Sequence, residues 1–412
     1  MSVEVETPSG ASPAAPEATG ARAEPRWRVL VTPLCALLLS MVIGGLLIVV
    51  TDEEVRSSAS YFFSRPVDAL SAAWGAASSA YWALFKGSVV DPAALSSGSL
   101  TRILRPISET LTYATPVILC GLSVALAFRS GLFNIGAQGQ LILGAIFAGW
   151  VGFTFSLPAP LHVTAAVLAG VLGGLLWGGI VGVLKAWRGA HEVIVTIMLN
   201  YVAIYLLGWL LNTRGFQAPP YDIARSEEIA ESAALLRILG ADLRANLGIL
   251  LALLAAVGMW WLLDRSTVGF RLRAVGSNPA AARTAGMSVP RTYALAMLLA
   301  GALAGAAGAA QVLGPSRSIS GSIDNGAGFD GITAALLGRG KPLGVVLAGL
   351  LFGALRAGAT RMQSEAQTPV DLVLVLQALI VLFIAAPPLI QAVFRIPAGS
   401  GLRHAAAKGW SS

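Results

Sequence analysis

Charge is scarce in this chain. Only 12% of its 412 residues are Asp, Glu, Lys or Arg, while 56% are hydrophobic. A soluble protein carries roughly 25% charged residues, so this sequence could not clothe a water-facing surface. Cysteine is nearly missing: Cys35 and Cys120 both fall inside apolar runs, which excludes a disulfide framework and cysteine metal spacing. The histidines, His162, His191 and His404, are too scattered to assemble a zinc site.

Catalytic signatures are missing as well. His191-Glu192 has no second histidine four residues on, which excludes the metalloprotease helix. "GAGFDG", Gly326 to Gly331, fits a Gly-x-Gly-x-x-Gly string but lies between hydrophobic spans and follows no strand. "GRGKP", Gly338 to Pro342, has Pro342 where a P-loop needs Ser or Thr, and Ala335 where it needs glycine. The chain therefore carries no nucleotide-hydrolysing motif of its own, and no acid, base and nucleophile converge. The net charge of +7 comes without a basic stripe interleaved with aromatics, so nucleic acid is not the partner.

What the chain has is apolar length. The runs are Val29 to Val50, Pro106 to Phe128, Gly136 to Phe155, Val163 to Leu184, Val193 to Leu211, Leu247 to Leu263 and Tyr293 to Leu313, then Gly328 to Leu337, Pro342 to Leu355 and Leu372 to Val393. This is the pattern of an all-α, polytopic helical membrane protein with about ten hydrophobic segments. Gly328 to Leu337 is too short to cross ~30 Å at ~1.5 Å per residue and reads as a short or re-entrant piece. The segment 1–26, rich in Ala, Pro, Glu, Ser and Thr, reads as a disordered cytoplasmic tail. Residues 27–394 form the membrane domain, and 395–412 a second cytoplasmic tail.

Basic residues orient the chain. The loop 264–292 holds Arg265, Arg271, Arg273, Arg283 and Arg291 against Asp264 alone. The loop 213–246 balances four arginines with Asp222, Glu227, Glu228, Glu231 and Asp242. Lys/Arg bias marks the cytoplasmic side, so the first loop is inside, the second outside, and both termini are cytoplasmic. Within the external segment 52–105, Val67, Leu70, Trp74, Ala77, Tyr81 and Leu84 make one apolar helical stripe. Such a helix lies on the outer membrane face or packs across the bundle mouth.

Two interruptions stand out. "FRSGLFNIGAQGQLILG", Phe128 to Gly144, and "DNGAGFDGITAALLGRGKPLG", Asp324 to Gly344, place glycines and amides where hydrocarbon prefers leucine. Irregular chain at membrane depth survives only inside protein or along a water-filled path, and paired interruptions in two halves point to a transporter's solute path. Candidate solute-path residues are Asn134, Gln138, Gln140, Asn200, Gln311 and Asp330. Their neutral amides suit a polar, uncharged solute. Gly136, Gly139 and Gly144 serve equally as places where helix backbones approach, and the amides equally as interhelical bonds. Asp330 and Arg339 are either functional or an ion pair.

The loop "GFRLRAVGSNPAAARTAGMSVPRTY" contains a start and a stop. Asn278 can cap, Pro279 fits the first turn and Gly286 ends a helix of about two turns. Arg273, Gly276, Asn278, Pro279, Ala282, Arg283, Gly286 and Met287 are the candidate residues of a knob on which a soluble partner docks.

These stretches resemble a known family, the integral-membrane permease subunits of ABC importers for ribose, simple sugars, nucleosides and branched-chain amino acids, and most of all its nucleoside-type members. "ATPVILCGLSVALAFRSGLFNIGAQGQ" resembles the family's hallmark, with Gln138 where a glutamate and Cys120 where a threonine is expected. "RPVDALSAAWGAASSAYWALFKG", "HEVIVTIMLNY", "LRAVGSNPAAARTAGM" and "GFDGITAALLGRGKPLG" resemble further blocks in the same order. The resemblance implies an importer permease for nucleosides, purine first, with simple sugars as the alternative. It also implies a cytoplasmic ABC ATPase that holds ATP and Mg, a second permease that is a related but distinct chain, and an external solute-binding lipoprotein. The short helix near Asn278 would then be the coupling helix, and this chain would bind no cofactor. The competing reading of the same broken spans is an ion-coupled secondary transporter that needs no partner.

Overall fold

A computed structural model describes residues 28–96 and 98–394; the tails expected at 1–26 and 395–412 lie outside the described residues. The helices are α1 (Arg28–Thr51), α2 (Glu53–Ala59), α3 (Pro66–Ser88), α4 (Pro92–Ser96), α5 (Leu100–Arg129) and α6 (Ala137–Thr154). There follow α7 (Ala159–Arg188), α8 (Glu192–Leu210), α9 (Gly248–Arg265), α10 (Thr267–Ser277), α11 (Pro279–Thr284) and α12 (Val289–Gln311). The series ends with α13 (Ala327–Leu337), α14 (Pro342–Ala366), α15 (Val370–Ala385) and α16 (Pro387–Phe394). Among the described residues, eight helices are long and apolar enough to cross a membrane: α1, α5, α6, α7, α8, α9, α12 and α14. Two shorter apolar helices, α13 and α15, bring the hydrophobic segments to the number expected, and the protein is a multi-pass membrane protein.

Small residues let the bundle close. Gly174 of α7 lies against the backbone of Gly301 and Gly305 on α12. Gly144 of α6 meets Gly305 so closely that an added Cβ would sit 2.5 Å from the Gly305 Cα. With lipid as apolar as leucine, close backbone packing replaces the hydrophobic drive between helices. The larger apolar side chains point outward: Leu168, Leu172 and Leu176 on α7, and Leu250, Leu254 and Val257 on α9, are exposed to what would be lipid.

Three boundaries differ from the sequence reading. The run expected to end at Leu355 continues as α14 to Ala366, and in this added part Arg356 and Arg361 find acidic partners in Asp330 and Asp91. The run 372–393 breaks at Ala386, where Pro387 and Pro388 remove backbone donors, and resumes as α16. The stretch before Asn278, read as plain loop, is the helix α10, capped by Ser266 accepting from the Gly269 amide at 2.9 Å.

The stripe on α3 also divides. Val67, Leu70 and Trp74 stay exposed, whereas Ala77, Tyr81 and Leu84 are partly covered, next to the small residues Ala80, Ala83 and Gly87, which are buried. The Tyr81 hydroxyl donates to the Met41 carbonyl of α1 at 2.5 Å. A Cβ on Gly87 would meet the Arg361 Cβ at 2.7 Å, so α3 packs by its small residues onto the C-terminal part of α14. Lys86 and Arg361 both pair with Glu365, the latter at 2.6 Å, and Arg361 also reaches Asp91 at 2.5 Å.

Candidate solute path and coupling surface

The first interruption lies between α5 and α6. Gly131 takes a left-handed φ of +74°, and no regular helix returns until Ala137. The backbone bonds lost there are replaced by side-chain amides, as a chain at membrane depth requires. Asn134 is fully enclosed. Its Oδ1 accepts from the Gly136 amide at 3.0 Å and from Gln140 Nε2 at 3.2 Å. Its Nδ2 donates to Gln140 Oε1 at 3.0 Å and to Ser123 Oγ at 3.2 Å. All four sites of that amide are thus used within the protein. Asn200 of α8 spans the same break, accepting from the Gly139 amide at 2.9 Å and donating to the Ile135 carbonyl at 3.0 Å.

The second interruption follows α12. A π-helical turn, Val312–Ser316, leads to Arg317 at φ +59° and an irregular return before α13. Gln138 ties the two breaks together, its Nε2 donating to Asp324 Oδ2 at 2.9 Å. A glutamate at position 138 would face Asp324 as a like charge, so glutamine suits this partner. Asp330 pairs with Arg356 of α14 at 3.5 Å, and Arg356 also donates to Asn325 Oδ1 at 2.7 Å. Arg339 is not the partner of Asp330; it is exposed in the turn after α13 at φ +52°.

Beside the second break, a cleft of about 250 Å³ opens between α5, α12 and the irregular return. Thr112, Tyr113, Gln311, Ser316, Ser320, Ser322 and Asn325 line it together with Arg244, and no carboxylate does. Gln311 alone of the six path candidates lines this cleft, and its Nε2 donates to Ser316 Oγ at 3.3 Å. The guanidinium of Arg244 lies 5.9 Å from the Tyr113 ring centre and pairs with Glu109 at 2.8 Å. Sequence reasoning passed over Tyr113, Arg244 and the serines. The hydroxyl-dense stretch "SRSISGSIDN" directly after a span was the available signal.

On the opposite side of the membrane domain, α11 forms as the cap and stop require. Asn278 Oδ1 accepts from the Ala281 amide at 3.0 Å, Pro279 opens the helix, and Gly286 ends the turn at φ +80°. Ala282 and Val275 are buried with Val289, and Met287 packs against them. Asn278, Pro279, Arg283 and Gly286 remain exposed. Arg273 lies 3.8 Å from Asp264, and Gly276 packs against Gly131. The element is an anchored, outward-facing knob.

The family described as the branched-chain amino acid transport system permease component matches residues 107–385, which hold both breaks, the cleft and the knob. The chain belongs to this family. It is 39% identical to the guanosine ABC transporter permease protein NupP of Bacillus subtilis, over 86% of this chain and 93% of that one. It is 33% identical to the glucose ABC transporter permease protein TsgB13 of Haloferax volcanii, over 88% and 89%. It is 36% identical to the nucleoside ABC transporter permease protein NupB of Lactococcus lactis, over 70% and 81%. No solved structure matches. The protein is accordingly a permease subunit, a transport component of the ABC class.

Within this permease, the amides divide by what they face. Asn134, Gln140 and Asn200 hold the first break shut, Gln138 and Asp330 join the breaks to each other and to α14, and Gln311 faces open space.

Proposed function

We propose that this permease forms one half of the membrane path of an ATP-driven importer for nucleosides, purine nucleosides first. The similarity to a guanosine permease over nearly the whole chain carries this reading. The cleft supports it: amides, hydroxyls and one aromatic ring, without a carboxylate, suit a ribose with a planar base. A simple sugar is the second reading, favoured by the similarity to a glucose permease.

In this reading a second, related permease chain supplies the facing wall. An external solute-binding lipoprotein delivers solute to the outer mouth. A cytoplasmic ATPase holds ATP and Mg, this chain holding neither, and the ATPase grips the knob at Asn278 to Met287. Solute moves because the ATPase favours one state of the permease pair when ATP is bound and the other after hydrolysis; a ligand shifts an equilibrium only through such differential affinity.

The test is reconstitution of the whole complex in liposomes. Labelled guanosine should accumulate when ATP faces the ATPase, and cease when the ATPase is omitted. Accumulation by this chain alone would refute the reading, and uptake of glucose or ribose without guanosine would select the second one.

A further inference from the structure

A second cavity, of about 640 Å³, lies at the amino end of α5, and Tyr113 and Arg244 form part of its wall as well as of the carboxylate-free cleft. Its charge is of one dominant sign: Arg102, Arg105, Arg244 and Arg361 line it, against Asp91 and Glu109. The two acids are already engaged, Asp91 with Arg361 at 2.5 Å and Glu109 with Arg244 at 2.8 Å. Arg102 and Arg105 have no acidic partner among the described residues, although they stand one turn apart on the same helix. Like charges at that spacing destabilise a helix unless something neutralises them. They lie in the first two turns of a 30-residue helix, whose amino end adds further positive potential. Exposed apolar residues flank the two arginines along the chain, Leu95 on α4 and Leu100 and Ile107 on α5.

We propose that this cavity is a phosphate-binding subsite at the outer mouth, with Arg102 and Arg105 as its anchors. Guanidinium groups match phosphate oxygens in charge and in paired hydrogen bonding. Two sources present that chemistry. A nucleoside monophosphate placed in the carboxylate-free cleft would carry its phosphate across the Tyr113 and Arg244 wall into the cavity. An anionic lipid would insert its headgroup from the apolar flank. The first source rests on the reading of the cleft as a nucleoside site; the second does not, and inorganic phosphate tests the arginines apart from either.

The experiment uses the complete transporter in nanodiscs of neutral phosphatidylcholine. Binding of guanosine monophosphate and of inorganic phosphate is measured by equilibrium dialysis for wild type and for Arg102→Gln/Arg105→Gln, with monodispersity and melting temperature confirming the fold. In parallel, native mass spectrometry follows phosphatidylglycerol retained from mixed-lipid discs. The expected result is that one source binds wild type and is weakened roughly tenfold or more in the double variant. Loss of guanosine monophosphate identifies a soluble phosphate, and loss of phosphatidylglycerol identifies a headgroup. Arg102→Lys/Arg105→Lys should restore part of the binding. Equal binding by wild type and Gln variant, or none by either, overturns the proposal. So does a variant that loses only its stimulation by the external binding protein, since the arginines would then contact an acidic protein surface.

Discussion

Gly276 and Gly131 meet backbone to backbone. A Cβ on Gly131 would lie 3.0 Å from the Gly276 Cα, and one on Gly276 would lie 2.8 Å from the Gly131 nitrogen. One residue is the penultimate position of α10, beside the knob formed by α11; the other opens the break between α5 and α6. Arg129, two residues before Gly131, donates from Nε to the Gly340 carbonyl at 3.1 Å, in the turn after α13. Any displacement of α10 and α11 therefore reaches the first break through a contact without side chains, and the turn after α13 through the Arg129 hydrogen bond.

Gly276→Val should part these backbones while leaving Asn278 and the exposed face of α11 in place. The complex should still assemble with its ATPase and hydrolyse ATP, but solute moved per ATP should fall several-fold. Uptake and phosphate release measured on the same proteoliposomes give that ratio. A wild-type ratio would remove the contact from the transmission route.

A different fate is expected at Asn134. Replacing it with leucine strips partners from the Gly136 amide, Ser123 and the Gln140 side chain in a dry interior. Unpaired buried groups cost about 1–3 kcal/mol each, so with three partners stripped Asn134→Leu should destabilise by about 3 kcal/mol or more. The purified complex should melt lower and give poorer yield. A normal melting curve combined with weakened uptake would instead return Asn134 to the solute path.

The contrast between these residues shows what sequence can carry. Apolar length and arginine bias made the helix number and the outward-facing knob legible, because each depends on local composition. Asn278, Pro279 and Gly286 announce their turn for the same reason. Whether Asn134 or Gln311 faces solute depends on how the chain folds back on itself: Ser123 and Gln140, 11 and 6 residues away, close on Asn134 only across the break, while Tyr113 and Asn325 meet Gln311 from other elements. Arg356 as the partner of Asp330 was equally hidden, since 26 residues and a turn separate them.

Gln311→Leu and Tyr113→Leu test the cleft. Both side chains are partly exposed, so neither change leaves a sealed polar group without water. The half-saturating guanosine concentration should rise several-fold, with ATPase activity in the absence of solute unaltered. If Tyr113 stacks on the base, its replacement should penalise guanosine more than free ribose. Unchanged half-saturation in both variants would place the path elsewhere on the permease.

Asp91 supplies a pH signature for the outer tie. Burial pushes its carboxyl up, but the bond from Arg361, the Ala93 amide and the charges of Arg361 and Lys86 outweigh that and hold it below the usual value of 3.8. Arg361 is shared with Glu365, which also pairs with Lys86, so all four groups face one another across α3, α4 and α14. A carboxyl whose folded value is depressed stabilises the fold above its unfolded value, and that contribution is lost as pH falls through the folded value. Wild type should therefore melt higher than Asp91→Asn at neutral pH, and the gap should hold down to the ordinary carboxylate value. Below it the gap should shrink as Asp91 takes up its proton. Melting curves of both proteins over that range decide the matter, and a gap that stays constant into strong acid would show that Arg361 does not depend on the charge of Asp91.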